Sequence, residues 1–211
     1  MSVACDSIAM RAPPTVILAG GASRRMGGRD KGLALLAGRP LLAHVIDRIA
    51  PQCEDLALNS NADARTMAQF GLTLLPDRTA GRPGPLAGIL AAMDWADTLG
   101  AVQVVTLPGD TPFVPLDLIP RLLLAAEDVP PTVPIIAQSA ERAHPVVGLW
   151  PVSLRDDLAA ALAGGTRRVL DWALDKHAHS VAFPATSPDM FFNVNTAEDL
   201  DEAARWIGGA S

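Results

Sequence analysis

The sequence TVILA at residues 15–19 runs without a gap into GGASRRMGGRDKG at residues 20–32. The first part has the length and composition of a short buried strand. The second part holds four glycines, three arginines and one lysine between Gly20 and Lys31. Glycine lets backbone N–H groups approach an anion closely, and basic side chains neutralise its charge. The junction therefore predicts a phosphate-binding loop at the carboxyl end of the first strand.

The spacing within this loop excludes two common nucleotide-binding motifs. Lys31 lies between Asp30 and Gly32, so the Gly-Lys-Ser/Thr of a Walker A loop does not occur. The GGA at residues 20–22 likewise breaks the Gly-x-Gly-x-x-Gly spacing of a dinucleotide fingerprint. The alternative interpretation, a solvated surface loop, does not explain why the cations concentrate beside a strand end. We therefore expect a triphosphate there, with Lys31 on one of its oxygens.

The size and composition of the chain fit a single domain. Its 211 residues are 49% hydrophobic, which is enough to bury a full core. We expect residues 1–14 to form a poorly ordered leader and residues 15–211 to form the domain. A formal net charge of −6 argues against a general nucleic-acid binder, and no apolar run reaches membrane-spanning length. The two cysteines, Cys5 and Cys53, form neither a disulfide framework nor a zinc spacing, which favours a reducing cytoplasm.

Short apolar runs alternate with amphipathic stretches along the chain, which is the pattern of strand–helix–strand units. The alternation predicts an α/β fold of three layers, a Rossmann-like arrangement in which helices cover a mostly parallel central sheet. The strand candidates are residues 16–19, 55–60, 72–75, 102–107, 133–137 and 145–150. The helix candidates are residues 41–49, 86–99, 118–123 and 196–206, the last with Thr196 as its N-cap.

Polar residues follow several of these strands directly. Asn59 lies at the end of the second strand, Asp77 follows the third and Asp110 follows the fourth. In a parallel sheet the carboxyl ends of the strands share one edge, and ligands bind there. We therefore expect these three side chains and the glycine-rich loop to lie on one rim.

Asp110 has two interpretations on its sequence alone. It lies in PGDTPF at residues 108–113, where a carboxylate after a strand either caps a helix or ligates Mg²⁺. Magnesium keeps several waters, so one carboxylate plus substrate phosphates is enough to hold it. The glycine-rich loop favours the metal role. Asp77, taken alone, is more typical of a turn than of a binding site, and Asn59 is as typical of a turn as of a site that contacts a base or a sugar.

Further candidates lie downstream. Gly84 and Gly88 occur around the predicted start of a helix, where glycine permits the close approach of a ligand. Asn193 and Asn195 lie on one side of an extended segment, or alternatively cap the last helix. His144 precedes a predicted strand, and we expect it to reach the rim.

Taken in order along the chain, these motifs resemble a known family. The LAGG, RMG and KG of the first loop resemble the signature of the nucleotidyltransferases, and the whole set resembles the molybdenum cofactor guanylyltransferases among them. The further motifs that carry this resemblance are PGPLAG at residues 83–88, DTPF at 110–113, RAHP at 142–145 and NVNT at 193–196. The resemblance covers residues 16–206, nearly the whole chain.

The resemblance implies a Mg²⁺-dependent enzyme that transfers GMP from GTP to molybdenum-molybdopterin and releases pyrophosphate. By position, it implies Asp110 as the metal ligand, and Asp110, Lys31 and Arg25 as the catalytic groups. For GTP binding it implies Leu18, Ala19, Gly20, Gly21, Lys31, Asn59, Asp77 and Asp110. For the molybdopterin side it implies Asn193, Asn195 and His144. It also implies contact with molybdenum-insertion proteins and with target molybdoenzymes or their chaperones.

Other functions remain open at this point. A cytidylyltransferase, or a nucleotidyltransferase with another small acceptor, would carry a similar first loop. A non-catalytic module that delivers nucleotide or cofactor would bind GTP without releasing pyrophosphate, but Asp110 beside the glycine-rich loop argues against it. An NAD-dependent oxidoreductase would fit the α/β order, but the loop lacks the required glycine spacing.

Overall fold

The computed structural model describes residues 12–20, 31–77 and 84–208. Within them a seven-stranded central sheet has the strand order β5-β4-β1-β6-β8-β7-β9, and β2 and β3 form a separate small hairpin. The strands are β1 (Thr15–Leu18), β2 (Leu35–Leu36), β3 (Arg39–Pro40), β4 (Leu56–Asn59), β5 (Thr73–Leu75), β6 (Gln103–Pro108), β7 (Ile135–Ser139), β8 (Arg142–Pro151) and β9 (His179–Phe183). The six predicted strands are confirmed as β1, β4, β5, β6, β7 and β8, whereas β9 was not predicted.

The sheet is mostly parallel, as the sequence predicts. β1 pairs in parallel with both β4 and β6, β4 with β5, and β7 with β9. β8 is antiparallel to its two neighbours, β6 and β7. The carboxyl ends of β5, β4, β1 and β6 consequently lie side by side along one edge of the sheet, and the amino end of β8 lies at the same edge. This edge is called the rim below.

Helices cover both faces of the sheet and make the predicted three layers. They are α1 (Leu41–Ile49), α2 (Ala64–Met67), α3 (Pro85–Thr98), α4 (Leu118–Ala126), α5 (Arg155–Ala163), α6 (Val169–Asp175) and α7 (Ala197–Gly208). Residues of α1 and α4 pack in one core cluster, and residues of α3, α5 and α6 pack in another. Ile17 of β1 belongs to the cluster with α1 and α4, and Val16 belongs to the cluster with α3, α5 and α6. They differ because successive side chains of a strand point to opposite faces. Both layers therefore enclose the buried strands.

The last helix packs away from the two main clusters. Leu36, Leu41, Val194 and Ala203 form a small third core beside α7. The predicted N-cap is confirmed: Thr196 Oγ1 accepts a hydrogen bond from the Asp199 amide at 3.1 Å, and Asp199 Oδ2 accepts one from the Thr196 amide at 2.9 Å. This reciprocal cap fixes where the chain leaves the preceding segment and enters the helix.

The residues just before β1 already belong to the fold. Pro13 and Pro14 are buried, and the Pro14 carbonyl accepts a hydrogen bond from the Val105 amide at 2.9 Å. The remainder of the predicted leader, residues 1–11, lies outside the described residues. Across the described ranges, no helix has the length and apolar character needed to cross a membrane.

Candidate active site

The end of β1 is held between the ends of its two neighbours. The Ala19 amide donates a hydrogen bond to the Asn59 carbonyl at 2.9 Å, and the Gly109 amide donates one to the Leu18 carbonyl at 3.0 Å. Gly20 follows at the rim, and a Cβ built on it would lie 3.8 Å from Asn59 Oδ1. The described part of the loop therefore starts beside β4 and β6. Gly21 and Arg25 lie outside the described residues.

Asn59 and Asp77 lie together at the rim of β4 and β5. Asn59 is 3% exposed, and its Nδ2 donates to the Leu75 carbonyl at 3.0 Å and to Asp77 Oδ1 at 2.9 Å. Asn61 Nδ2 donates to Asp77 Oδ2 at 2.6 Å, and the Asp77 amide donates back to Asn61 Oδ1 at 3.0 Å. Two side-chain amides thus fix the orientation of the Asp77 carboxylate. From the sequence alone Asn61, like Asn59, is as typical of a turn as of a site that contacts a base or a sugar.

The glycines around the start of α3 each have a role within the fold itself. A Cβ on Gly88 would lie 2.5 Å from Asn59 Oδ1 and 3.1 Å from Leu18 Cδ2, so the group that approaches Gly88 closely is the protein's own Asn59. Gly84 has a φ of +80° and directly precedes the helix, and a Cβ on it would meet nothing within 4 Å. Gly88 therefore permits α3 to pack against the polar end of β4, and Gly84 permits the turn into the helix.

Lys31 joins two regions of the rim that are far apart in sequence. Its ammonium donates to Asp110 Oδ2 and to Asn195 Oδ1, the latter at 2.7 Å. The Lys31 side chain is 19% exposed, so it is not an ordinary solvated surface lysine. It begins a three-residue 3₁₀ turn, Lys31–Leu33, that leads toward the β2–β3 hairpin. The loop thereby places its lysine directly on the carboxylate that follows β6.

The segment before α7 lies against the residues that follow β6. The Val194 amide donates to the Asp110 carbonyl at 2.9 Å, and Thr111 Oγ1 donates to Asn193 Oδ1 at 2.7 Å. Asn195 Nδ2 donates to the Asn193 carbonyl at 3.2 Å. The two predicted asparagines, Asn193 and Asn195, are thus brought beside Asp110 and Lys31.

His144 lies beneath this segment rather than at the open rim. It is the third residue of β8, is 8% exposed, and its Nε2 lies 2.7 Å from Ser139 Oγ. Its ring stacks on Phe191 with the ring centroids 4.3 Å apart. Burial is the main cause that lowers the pKa of His144 below its ordinary value. The imidazole therefore supports the chain that carries Asn193, and its ring faces Phe191 and Ser139.

The donor set around Asp110 fits a magnesium ion. Asp110 Oδ1 is buried and has no hydrogen-bond partner among the described residues, whereas Oδ2 contacts Lys31. The described chain contains no group of three or more His, Cys, Asp or Glu side chains suited to a metal. A single carboxylate oxygen is nevertheless sufficient for Mg²⁺ where substrate phosphates and waters complete the coordination.

The chain is similar to proteins of one named family. Residues 15–180 match the family described as the MobA-like NTP transferase domain. The chain is 49% identical over 199 residues to a molybdenum cofactor guanylyltransferase of Bradyrhizobium sp. (strain ORS 278), with 92% of each chain covered. It is 47% identical over 197 residues to the protein of that name from Rhodopseudomonas palustris (strain BisB5), with 92% of this chain and 93% of the relative covered.

A solved structure with the same fold bears a related name. It is molybdopterin-guanine dinucleotide biosynthesis protein A from Archaeoglobus fulgidus, with a TM-score of 0.73 and 23% sequence identity. The match covers 93% of this chain and 99% of that one. At this identity the likeness demonstrates the fold and carries nothing about the substrate.

Proposed function

The chain belongs to the MobA-like NTP transferase family, and from this premise we propose that it transfers GMP from GTP to molybdenum-molybdopterin, giving molybdopterin guanine dinucleotide and pyrophosphate. Two curated relatives at 49% and 47% identity over nearly the full chain support the reaction. The structural observation that carries it is the cluster of Lys31, Asp110 and Asn195, which joins the loop after β1, the end of β6 and the segment before α7. A transfer between two anionic substrates needs a site at which both can be held close together.

We assign GTP to the side of the rim built from the loop, β4 and β5. The proposed contacts are Leu18, Ala19, Gly20, Gly21, Lys31, Asn59, Asp77 and Asp110. Asp77 is suited to select guanine, because guanine presents adjacent N1–H and N2–H₂ donors, which cytosine lacks. The amides of Asn59 and Asn61 hold the Asp77 carboxylate in place before the base arrives. The Leu18 carbonyl, the other acceptor at the strand end, already receives the Gly109 amide.

We assign molybdopterin to the side built from the segment before α7. Asn193 and Asn195 are the proposed contacts, and His144 supports them through its stack on Phe191. Asp110 lies at the boundary of the two sides, since its backbone carbonyl receives Val194 and its carboxylate receives Lys31.

The proposed reaction is a single displacement at phosphorus. An oxygen of the molybdopterin phosphate forms a bond to the α-phosphorus of GTP, the bond from that phosphorus to the bridging oxygen of the β-phosphate breaks, and pyrophosphate leaves with the electron pair. The nucleophile is already an anion, so the protein mainly positions the groups and neutralises charge. Lys31 and Arg25 hold the departing pyrophosphate oxygens. Mg²⁺, when held by Asp110, neutralises further phosphate charge.

We further propose that the reaction requires GTP and Mg²⁺, that the protein acts in the cytoplasm, and that it meets two kinds of protein partner. Molybdenum-insertion proteins would supply the acceptor, and target molybdoenzymes or their chaperones would receive the product. The absence of a disulfide framework in the sequence supports a reducing compartment.

Pyrophosphate release tests the proposal directly. The purified protein is incubated with Mg²⁺, molybdenum-molybdopterin, and either GTP or CTP. We expect release that requires GTP, the acceptor and the divalent ion together, and little release from CTP. Preference for CTP would establish a cytidylyltransferase instead. Binding of GTP without any release in the complete mixture would establish a delivery module.

A further inference from the structure

Thr111 is a buried polar residue to which the proposed reaction assigns no role. It directly follows Asp110 and is 1% exposed. Its hydroxyl donates to Asn193 Oδ1 at 2.7 Å across a sequence separation of 82 residues. A buried threonine hydroxyl that reaches a side chain on a distant segment is a specific contact, since most side-chain hydrogen bonds go to backbone or water.

This bond determines which end of the Asn193 amide is available to a ligand. A hydroxyl has one hydrogen to donate, and an amide has one oxygen acceptor and one NH₂ donor. Thr111 engages the oxygen of Asn193, which leaves the NH₂ group as the end available to a ligand. Among the described residues, Nδ2 of the half-buried Asn193 has no hydrogen-bond partner. The site therefore presents a donor at this position.

The neighbouring polar groups point to the same ligand chemistry. The oxygen of the Asn195 amide is taken by Lys31, and its nitrogen donates to the Asn193 carbonyl. The ammonium of Lys31 thus contacts the same short segment that carries the Nδ2 of Asn193, and both groups are hydrogen-bond donors. Two such donors favour an anionic oxygen, because hydrogen bonds to an ionised acceptor are about twice as strong as neutral ones.

We propose that Thr111 is a positioning residue that presents the Asn193 amide as a hydrogen-bond donor to a phosphate oxygen of the acceptor substrate. This inference rests on the proposed function. The phosphate is the relevant part of the acceptor because Asn193 is tied to the residue that follows Asp110, and the nucleophilic oxygen must reach the triphosphate held at Asp110. Thr111 thereby links the nucleotide side to recognition of the acceptor.

The variants Thr111→Val and Thr111→Ser separate this role from packing. Valine keeps the shape of threonine and removes the hydroxyl, whereas serine keeps the hydroxyl and removes a methyl group. We expect Thr111→Val to raise the KM for molybdopterin about tenfold, the effect of losing one ordered hydrogen bond, with kcat and the KM for GTP within about twofold of wild type. Thr111→Ser restores the KM to within about threefold.

The variant Asn193→Asp tests the direction of the amide. Aspartate keeps an oxygen opposite Thr111 and replaces the NH₂ donor with a second oxygen. We expect the KM for molybdopterin to rise at least as much as in Thr111→Val. An unchanged KM in Asn193→Asp would mean that an oxygen faces the acceptor, which would overturn the inference.

Inorganic phosphate, used as a competitor of molybdopterin at saturating GTP, tests the part of the acceptor that is recognised. We expect its inhibition constant to rise in Thr111→Val by the same factor as the KM for molybdopterin. A rise in KM with an unchanged inhibition constant would place the contact on the pterin and overturn the phosphate assignment.

Different results would overturn the proposed function and the role of Thr111. Wild-type protein that releases no pyrophosphate in the complete mixture overturns the proposed function, and with it this inference. Wild-type protein that is active, together with a folded Thr111→Val variant of unchanged KM, overturns only the role of Thr111. A thermal unfolding midpoint for each variant verifies that it is folded, and Thr111→Ser with a KM as high as that of Thr111→Val would indicate a packing effect and overturn the role.

Discussion

The proposed nucleotide side of the rim, around Asn59 and Asp77, and the proposed acceptor side, around Asn193 and Asn195, are held in place by different means. On the nucleotide side, Asn59 and Asp77 follow neighbouring parallel strands, and Asn59 bonds to both the Leu75 carbonyl and Asp77. On the acceptor side, Asn193 and Asn195 lie outside the sheet, and three long-range hydrogen bonds tie their segment to Asp110, Thr111 and Lys31. The first side inherits its geometry from strand register, and the second depends on individual long-range hydrogen bonds, one between backbone groups and two between side chains.

The difference indicates how each side responds to change. Asn59 is the last residue of β4 and is buried against α3, so we expect an altered side chain there to disturb folding and the proposed nucleotide binding together. Asn195 is exposed, so an altered side chain there changes function with little effect on folding. If the proposed assignment holds, specificity for the acceptor is therefore the property that we expect substitutions to modify most easily.

Asp110 lies at the boundary of the two proposed sides, so replacing it with asparagine should impair the function of both. Asp110→Asn keeps the volume of the side chain and removes the charge that faces Lys31. We expect the rate of pyrophosphate release to fall about 10²–10³-fold, the usual cost of losing one preorganised electrostatic group. The unfolding midpoint should change by only a few degrees. Near-normal turnover at saturating Mg²⁺ would contradict the metal role of Asp110.

Replacing one asparagine with aspartate on each side tests whether the two sides differ in their contribution to stability. In the wild-type protein, Asn59 Nδ2 lies 2.9 Å from Asp77 Oδ1. Asn59→Asp replaces this buried donor with a carboxylate that faces the Asp77 carboxylate. We expect a loss of about 3 kcal/mol in the free energy of unfolding. In Asn195→Asp the exposed new carboxylate faces Lys31, and stability should stay within about 0.5 kcal/mol. Urea unfolding measures both variants. Equal losses would show that the two sides do not differ as described.

Gly88 tests how tightly α3 fixes the nucleotide side. Gly88→Ala would place a Cβ 2.5 Å from Asn59 Oδ1, so Asn59 must move away from Asp77. We expect a loss of about 1–2 kcal/mol, in which crowding outweighs the better helix propensity of alanine, and a higher KM for GTP. Gly208→Ala is the matched control, because a Cβ there meets nothing within 4 Å. A GTP KM equal to that of the control would refute the role of Gly88.

We expect a small pH dependence of the free energy of unfolding, caused by His144 beneath the segment that carries Asn193. Burial, with a further contribution from Arg142, lowers the pKa of His144 below the ordinary 6.5, and Asp189 partly opposes this. The unfolded chain therefore binds this proton more readily than the folded protein. The contribution of neutral His144 to the free energy of unfolding is fully present above about pH 6.5. It is lost as the pH falls from there through the lower pKa of the folded state.

Urea unfolding at pH 7.5 and pH 5.5 measures this effect. We expect His144→Gln to lose less stability than wild type between the two conditions. The control is His179→Gln, an exposed position in β9, which should follow wild type. If His144→Gln and wild type show the same pH dependence, His144 does not contribute as described.

The strands that the sequence predicts are those with dense apolar runs. Residues 16–19, 102–107 and 145–150 are confirmed because each carries mostly apolar side chains that are buried in the sheet. β9 was missed because it is an edge strand in which His179, Ser180 and Ala182 are exposed, and its composition resembles that of a loop. α5 was missed because Leu158 and Leu162 are its buried residues and the rest is alanine and charge.

The candidate site likewise contains residues whose placement the sequence predicted and residues whose placement it did not. The placement of Asn59, Asp77 and Asp110 at one edge followed from their positions after parallel strands. The roles of Asn61 and Gly88, and the burial of His144 under Phe191, did not follow. Each depends on which side chain of a distant element fills the available space, and spacing along the chain carries no record of that.

The order of strands and helices, the three-layer architecture and the basic glycine-rich loop were set by local patterns, which is why they are visible in the linear sequence. The meeting of Lys31 with Asp110 and Asn195, across separations of 79 and 164 residues, was decided by tertiary packing alone. The pattern of apolar residues lies along each element by itself, and the burial that this pattern directs selects the fold. A directional hydrogen bond between remote side chains exists only after the elements have packed, and these bonds define the candidate site.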